Sequence, residues 1–158
     1  MQLLAMLLAP MLAQVTPVDS FPPGWVLAKA PYGCVLIRKY PDALLLIADV
    51  PAHGVVDVTV SSDKMVWVQP DVSVPLTLAL VTNHKIDLVW DNLDCRGAVG
   101  AGHNGCLMRL KGEAVVDGMV SSETLTLVKD EKLIVAMPLD GAAPAMKALK
   151  ACAAGGAD

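Results

Sequence analysis

Asp94–Cys106, DCRGAVGAGHNGC, is the stretch around which the rest of the chain is arranged. It holds two of the four cysteines, four glycines and one of the three histidines. Short apolar runs lie on either side of it, and the two sets echo each other. Gly33-Cys34-Val35-Leu36 returns as Gly105-Cys106-Leu107-Met108, each followed by two basic residues, ending at Lys39 or Lys111. VDVTVSSDKMVWV, Val56–Val68, returns as VDGMVSSETLTLV, Val116–Val128, with six of thirteen positions identical. The echoes keep their order. They read as two pseudo-repeated halves, 25–93 and 105–152, joined by a hinge loop at 94–106. Two similar hairpins of independent origin are the competing explanation. Units this small cannot each close a core. They must therefore pack on each other as an antiparallel β-sandwich or a strongly bent sheet.

Working outward, runs of β-branched and aliphatic residues broken by turn signals predict strands. Before the hinge these are Gly33–Arg38, Ala43–Val50, Val55–Ser61, Met65–Gln69, Pro75–Val81 and Lys85–Trp90. After it come Cys106–Leu110, Ala114–Val120 and Leu133–Pro138. Val56, Val58 and Val60 alternate with Asp57 and Thr59, the pattern of a half-buried strand. Leu44–Val50 is apolar on both faces, which predicts a central strand. Residues 122–129 read equally well as a strand or as a short helix capped by Ser121 or Ser122. Asp140-Gly141 leads into AAPAMKALKAC, a short C-terminal α-helix with Pro144 in its first turn. Ala145, Met146 and Leu149 should face the core, and Lys147 and Lys150 the water. Residues 153–158 read as a disordered tail. The fold class is mainly β, with this one helix closing the chain.

With 158 residues the chain is most simply one domain, here 25–152. Its net charge of −4 and the lack of a Lys/Arg cluster argue against a nucleic-acid surface, which needs cations to displace counterions. Residues 1–14, MQLLAMLLAPMLAQ, are uncharged and apolar. The run is too short to span a bilayer, which takes about 20 residues. It reads as a signal peptide cleaved after Ala13, although no Lys or Arg precedes it. A buried N-terminal element of a cytosolic protein is the alternative. Residues 15–24, VTPVDSFPPG, read as a linker. The expected location is periplasmic or secreted, and the chain is not expected to be transmembrane.

Cys34, Cys95, Cys106 and Cys152 make an even count, which in an exported chain implies two disulfides. Cys95 with Cys106 would close a small glycine-rich loop, and Cys34 with Cys152 would pin the C-terminal helix to the first strand. The within-block pairing, Cys34 with Cys95 and Cys106 with Cys152, stays open. No CxxC is present, which excludes a zinc ribbon and a thioredoxin-type site.

Trp25 with Cys34 after it, Cys95, Gly105-Cys106 and KLIVAMPLDGAAPAMKAL (Lys132–Leu149) resemble the invasion-associated locus B proteins of α-proteobacteria. The resemblance covers most of residues 25–152. It departs at the opening, where the family's Gly-Asp-Trp is Pro23-Gly24-Trp25. It implies a periplasmic or surface β domain with disulfides, and it supplies no catalytic residues.

Candidate chemistry is sparse. His103 with Asp94, Cys95 and Cys106 offers zinc-binding residue types, but in an oxidising compartment the thiols would be consumed, so no metal is expected. Arg96, His103 and Asn104 then remain as polar residues of a possible binding loop. His53, Asp57 and Ser61 suggest a hydrolase. However, Asp57 and Ser61 stand four residues apart on one strand, about 13 Å, which is too far for a proton relay. No GxSxG elbow occurs. Asp140-Gly141-Ala142 lacks the hydroxyl of an aspartic protease loop, and the glycines of the hinge precede no Lys-Ser/Thr helix. No catalytic residue and no cofactor is expected. The expectation is a non-catalytic exported binding or scaffold domain with an unidentified protein or envelope partner. Two alternatives are a small periplasmic hydrolase using His53 or His103 as base, and an enzyme inhibitor inserting the 95–106 loop. Trp67 and Trp90 are expected on strands in the core.

Overall fold

Val56, Val58 and Val60 are fully buried, and Asp57 and Thr59 between them are not. That alternation marks a strand with one face on the core. Among the described residues the chain forms nine strands. A computed structural model describes residues 21–30, 33–100 and 103–155, and of 98–100 and 103 the backbone alone. The leader 1–14, most of the linker and the tail from 156 lie outside the described residues.

The strands are β1 (Trp25–Ala30), β2 (Gly33–Lys39), β3 (Ala43–Val50), β4 (Val55–Ser62), β5 (Ser73–Thr82), β6 (Lys85–Gly100), β7 (His103–Lys111), β8 (Thr124–Lys129) and β9 (Lys132–Pro138). Two helices join them, α1 (Ala114–Ser121) and α2 (Ala142–Gly155). All nine strands form one sheet in the order β1-β2-β3-β4-β7-β6-β5-β8-β9, and every pairing is antiparallel. Turn chemistry sets two of the hairpins. Asn83-His84 and Asp130-Glu131 both take positive φ, as a two-residue turn between twisted strands requires.

The sheet is strongly bent. Seven inter-strand spacings separate β2 from β9, about 34 Å if the sheet were flat. Yet Tyr40, just past β2, donates its hydroxyl to the carbonyl of Pro138 at the end of β9, 2.7 Å away. The bend runs through β6. This long strand pairs with β5 from Lys85 to Arg96, but with β7 only from Arg96 to Gly100. Two register irregularities in the β5–β6 ladder, beside Leu78 and at Leu80/Val81, add local twist. One core cluster gathers side chains from both halves of the sheet and from both helices.

α2 forms as the sequence predicts. Ala145, Met146 and Leu149 are fully buried, and Lys147 is exposed. The helix runs on to Gly155, so residues 153–155 belong to it rather than to a disordered tail.

Several expectations change. Of residues 94–106, read as a hinge loop, 94–100 run instead as the end of β6 and 103–106 as the start of β7. Met65–Gln69 is a series of turns, not a strand, although Met65 and Val68 are buried. Ala114–Val120 is helical, not extended. VDVTV and VDGMV thus take different structures: the second lies in a helix that buries Val115, Val116 and Met119 on one side. Gly118 lets that side press onto Leu80 and Leu88, where a Cβ would lie 2.6 and 2.7 Å from their methyls. Residues 124–129 resolve as a strand, and β1 is a strand the sequence did not announce. β3 has neighbours on both sides but lies third from the sheet's end.

Candidate functional site

The β6–β7 ribbon is built on a buried cross-link. Cys95 and Cys106 are disulfide-bonded, and both are essentially unexposed. Arg96 opposes Leu107, Val99 opposes Asn104 and Gly100 opposes His103, so the ribbon carries all three proposed binding residues. The Arg96 side chain is 65% exposed and reaches Asp71 only at 3.5 Å, which leaves its guanidinium fork open to a partner. Asn104 is half-buried. The placement of the His103 side chain lies outside what is described.

The sequence reads the glycines here as turn residues. Gly97 and Gly105 serve close approach instead. The amide of Gly97 donates to the Val72 carbonyl at 3.0 Å, and its own carbonyl accepts from the Asp71 amide at 3.1 Å. A Cβ on Gly97 would lie within the van der Waals shell of the Gln69 carbonyl oxygen. A Cβ on Gly105 would stand 2.6 Å from the Val60 carbonyl oxygen. The ribbon is thereby pressed onto 69–72 on one side and β4 on the other.

The remaining sequence candidates do not assemble. Asp57 is held by Arg109, whose Nε and Nη2 donate to its two carboxylate oxygens at 2.8 Å each. His53 is an exposed residue of the short turn before β4. Trp67 lies in the turns between β4 and β5, with the Lys129 ammonium 5.4 Å from its ring centre. Trp90 lies on β6, opposite Leu78. Among the described residues no group of three or more His, Cys, Asp and Glu could hold a metal.

Two polar clusters went unread in the sequence. The first fastens the bent sheet. Arg38, with its side chain 12% exposed, lies between the rings of Trp25 and Tyr40, 5.1 and 5.0 Å from their centres. Arg38 and the Trp25 indole both donate to the Asp140 carbonyl, the latter at 2.7 Å. Burial pushes the Tyr40 phenol up to about 12, against the opposing pull of Arg38. Asp140, weighed above as a protease remnant, is thus the anchor that leads the chain into α2. Arg38→Ala is expected to cost about 2 kcal/mol, because it removes two stacking contacts and a charge-assisted hydrogen bond. Urea denaturation compared with Arg38→Lys tests this: the lysine should restore little, since an ammonium cannot stack between two rings.

The second cluster sits where both helices meet the sheet. Asp49 on β3 is 3% exposed and hydrogen-bonded to Glu113. Lys150 on α2 spans Glu113, at 3.1 Å, and Asp117. Burial first, and the nearby Glu113 second, hold the Asp49 carboxyl above its ordinary value. A carboxyl raised by folding favours the folded state while protonated. Stability therefore falls as pH rises from the ordinary value, about 3.9, through the raised one. Asp49→Asn keeps a donor toward Glu113 without the charge. It should raise the thermal midpoint at pH 7 and leave it nearly unchanged at pH 3.

The second disulfide joins Cys34 on β2 to Cys152 on α2, across 118 residues. Together the fold and the two cross-links define a disulfide-stabilised, mainly β domain. Among solved structures it is similar to invasion associated protein B from Bartonella henselae, with 16% identity and a TM-score of 0.58, covering 86% of this chain and 97% of that one. The resemblance read from the sequence thus holds at the level of the fold. No protein-family model and no curated protein sequence matches the chain. Among the described residues no helix is long and apolar enough to cross a membrane.

Proposed function

We propose that the chain is an exported, non-catalytic binding domain, acting in the periplasm or at the cell surface through the β6–β7 ribbon. The observation that carries this reading is the pair of disulfides. Such bonds persist in oxidising compartments and not in a reducing cytosol. One of them lies at the root of the ribbon that presents Arg96. A cross-linked two-stranded ribbon loses little conformational entropy when a partner seats on it, which favours recognition. An exposed arginine is among the residues best suited to anchor such a contact. The leader-like residues 1–13 and the likeness to an invasion-associated protein support the same location.

Intact mass of the protein recovered from the periplasmic fraction tests export. The expected species lacks residues 1–13 and is lighter by the hydrogens of two disulfides. A full-length species with four free thiols, recovered from the cytosol, would overturn the reading. The ribbon is tested by Arg96→Ala combined with Asn104→Ala. This pair should leave the thermal midpoint within about 4 °C, since Arg96 is exposed and Asn104 is only half-buried. It should weaken retention on isolated envelope fractions by roughly tenfold or more. Unchanged retention would move the binding surface off the ribbon.

A further inference from the structure

The outer face of β6, β5, β8 and β9 is apolar and open to water. These strands are neighbours in that order. Their inner side carries Leu78, Leu80, Leu125, Leu127, Val135 and Met137, all buried. The ladders set the alternate residues in rows on the outer side: Ile86 beside Val81 beside Thr124, and Val89 beside Ala79 beside Thr126 beside Ala136. Val128 beside Leu133 continues the face toward one end. An antiparallel sheet with one face in water ordinarily alternates to polar residues on that face. Here the residues are aliphatic or threonine, and with the rest of the chain in place Ile86 is still 65% exposed, Val89 47% and Leu133 60%. Exposed apolar groups gathered in this way mark an interaction surface. The adjoining edge of β6 is a poorer site. Among the described residues 85–95 pair on one side only. However, the register irregularities beside Leu78 and at Leu80/Val81 interrupt that edge, as they do on strands guarded against strand addition.

We propose that this face packs against the same face of a second copy, sheet on sheet. Charge selects that occupant. The chain carries a net charge of −4, so two copies approach best through a patch that carries little charge. The groups at its border also complement each other. Lys85 stands at one end of the β6 part of the face. Asp91 stands near the other end, where it accepts a hydrogen bond from Thr77 at 3.0 Å. A twofold axis close to the row of Val89, Ala79, Thr126 and Ala136 lays each β6 antiparallel over the other. Each Lys85 then faces Asp91 of the other copy, and the symmetry makes the contact twice. Packed sheets lie about 10 Å apart, a gap that a lysine can span to an aspartate. Four strands about 4.8 Å apart and five residue steps of about 3.3 Å make the face roughly 19 by 17 Å. That is on the order of 300 Å² a side, well under the roughly 800 Å² of a standard interface, so the pair is weak and reversible. The β6–β7 ribbons continue β6 beyond Asp91 and leave the pair at opposite ends, so one dimer can engage two partners. That consequence alone rests on the binding role of the ribbon.

Sedimentation velocity of the oxidised full chain from about 5 to 500 µM tests this, with an expected dissociation constant of roughly 10–100 µM. Val89→Glu sets two like charges near the axis and should weaken the pair at least about tenfold. Lys85→Asp should weaken it roughly threefold or more. Lys85→Asp combined with Asp91→Lys should restore it to within about twofold of the parent. Near-ultraviolet circular dichroism checks that each variant is folded, and Val89→Ser replaces Val89→Glu if the latter does not fold. A parent that stays monomeric at about 500 µM overturns the proposal. So does a dimer indifferent to Val89→Glu, because its interface then lies elsewhere. A charge exchange that fails to restore the pair rules out the antiparallel β6 stacking. A monomeric parent whose retention on envelope fractions falls with Val89→Glu gives the face to a different partner, and likewise overturns the proposal.

Discussion

Replacing Cys34 and Cys152 together by alanine is expected to remove about 3–5 kcal/mol of stability. The bond closes a span of 118 residues, so its loss frees most of the unfolded chain. At roughly 2–4 °C per kcal/mol, the thermal midpoint should fall by about 6–20 °C. The comparison that gives this meaning is Cys95→Ala with Cys106→Ala. That bond spans only 11 residues, and chain entropy alone assigns it about 2 kcal/mol less than the long one. Thermal denaturation of both double variants should therefore rank the long span as the costlier loss. The reverse order would mean that holding β6 against β7 in the folded state outweighs restriction of the unfolded chain.

Gly97→Ala is expected to cost at least about 3 kcal/mol, more than an ordinary overpacked core position. The added Cβ meets backbone rather than a side chain that could turn away. Besides the Gln69 carbonyl oxygen, it would stand 2.9 Å from the Gln69 carbonyl carbon and 3.1 Å from Val68 Cγ1. Relief requires moving residues 69–72, whose hydrogen bonds to Gly97 hold them in place. Gly54→Ala is the reference. Gly54 has φ of 61° but nothing within 4 Å of its added Cβ, so only local backbone strain of about 1 kcal/mol applies. Urea denaturation of the two variants separates close approach from conformational strain. Equal losses would show that 69–72 yields easily and that the ribbon is less firmly seated than its contacts imply.

Much of the architecture was legible in the chain. Val56–Val60 alternates with a period of two, Leu133–Pro138 is a short continuous apolar run, and both are strands. Ala145, Met146 and Leu149 fall on one helical face, and that face is buried. Asn83-His84 makes the hairpin turn between β5 and β6. The failures share a cause. VDGMV carries the valines of VDVTV, but a short apolar run serves a strand or a helix equally well. The choice was made by Leu80 and Leu88, against which Gly118 packs. The glycines of 94–106 were read as turns because a glycine's use for close approach depends on a partner elsewhere in the chain. The Arg38 clamp and the Asp49–Glu113–Lys150 cluster each unite residues about a hundred positions apart, and no spacing rule reaches that far.

By itself the sequence determined which side of Val56–Val60 would face the core, the closing helix and the presence of enough cysteines for two cross-links. These are local or compositional properties, and they survive whatever the rest of the chain does. Only the tertiary structure decided where the sheet bends, which glycines bear against backbone and which carboxyl loses its water. Those outcomes depend on what covers a residue, and the cover comes from distant segments brought near by folding.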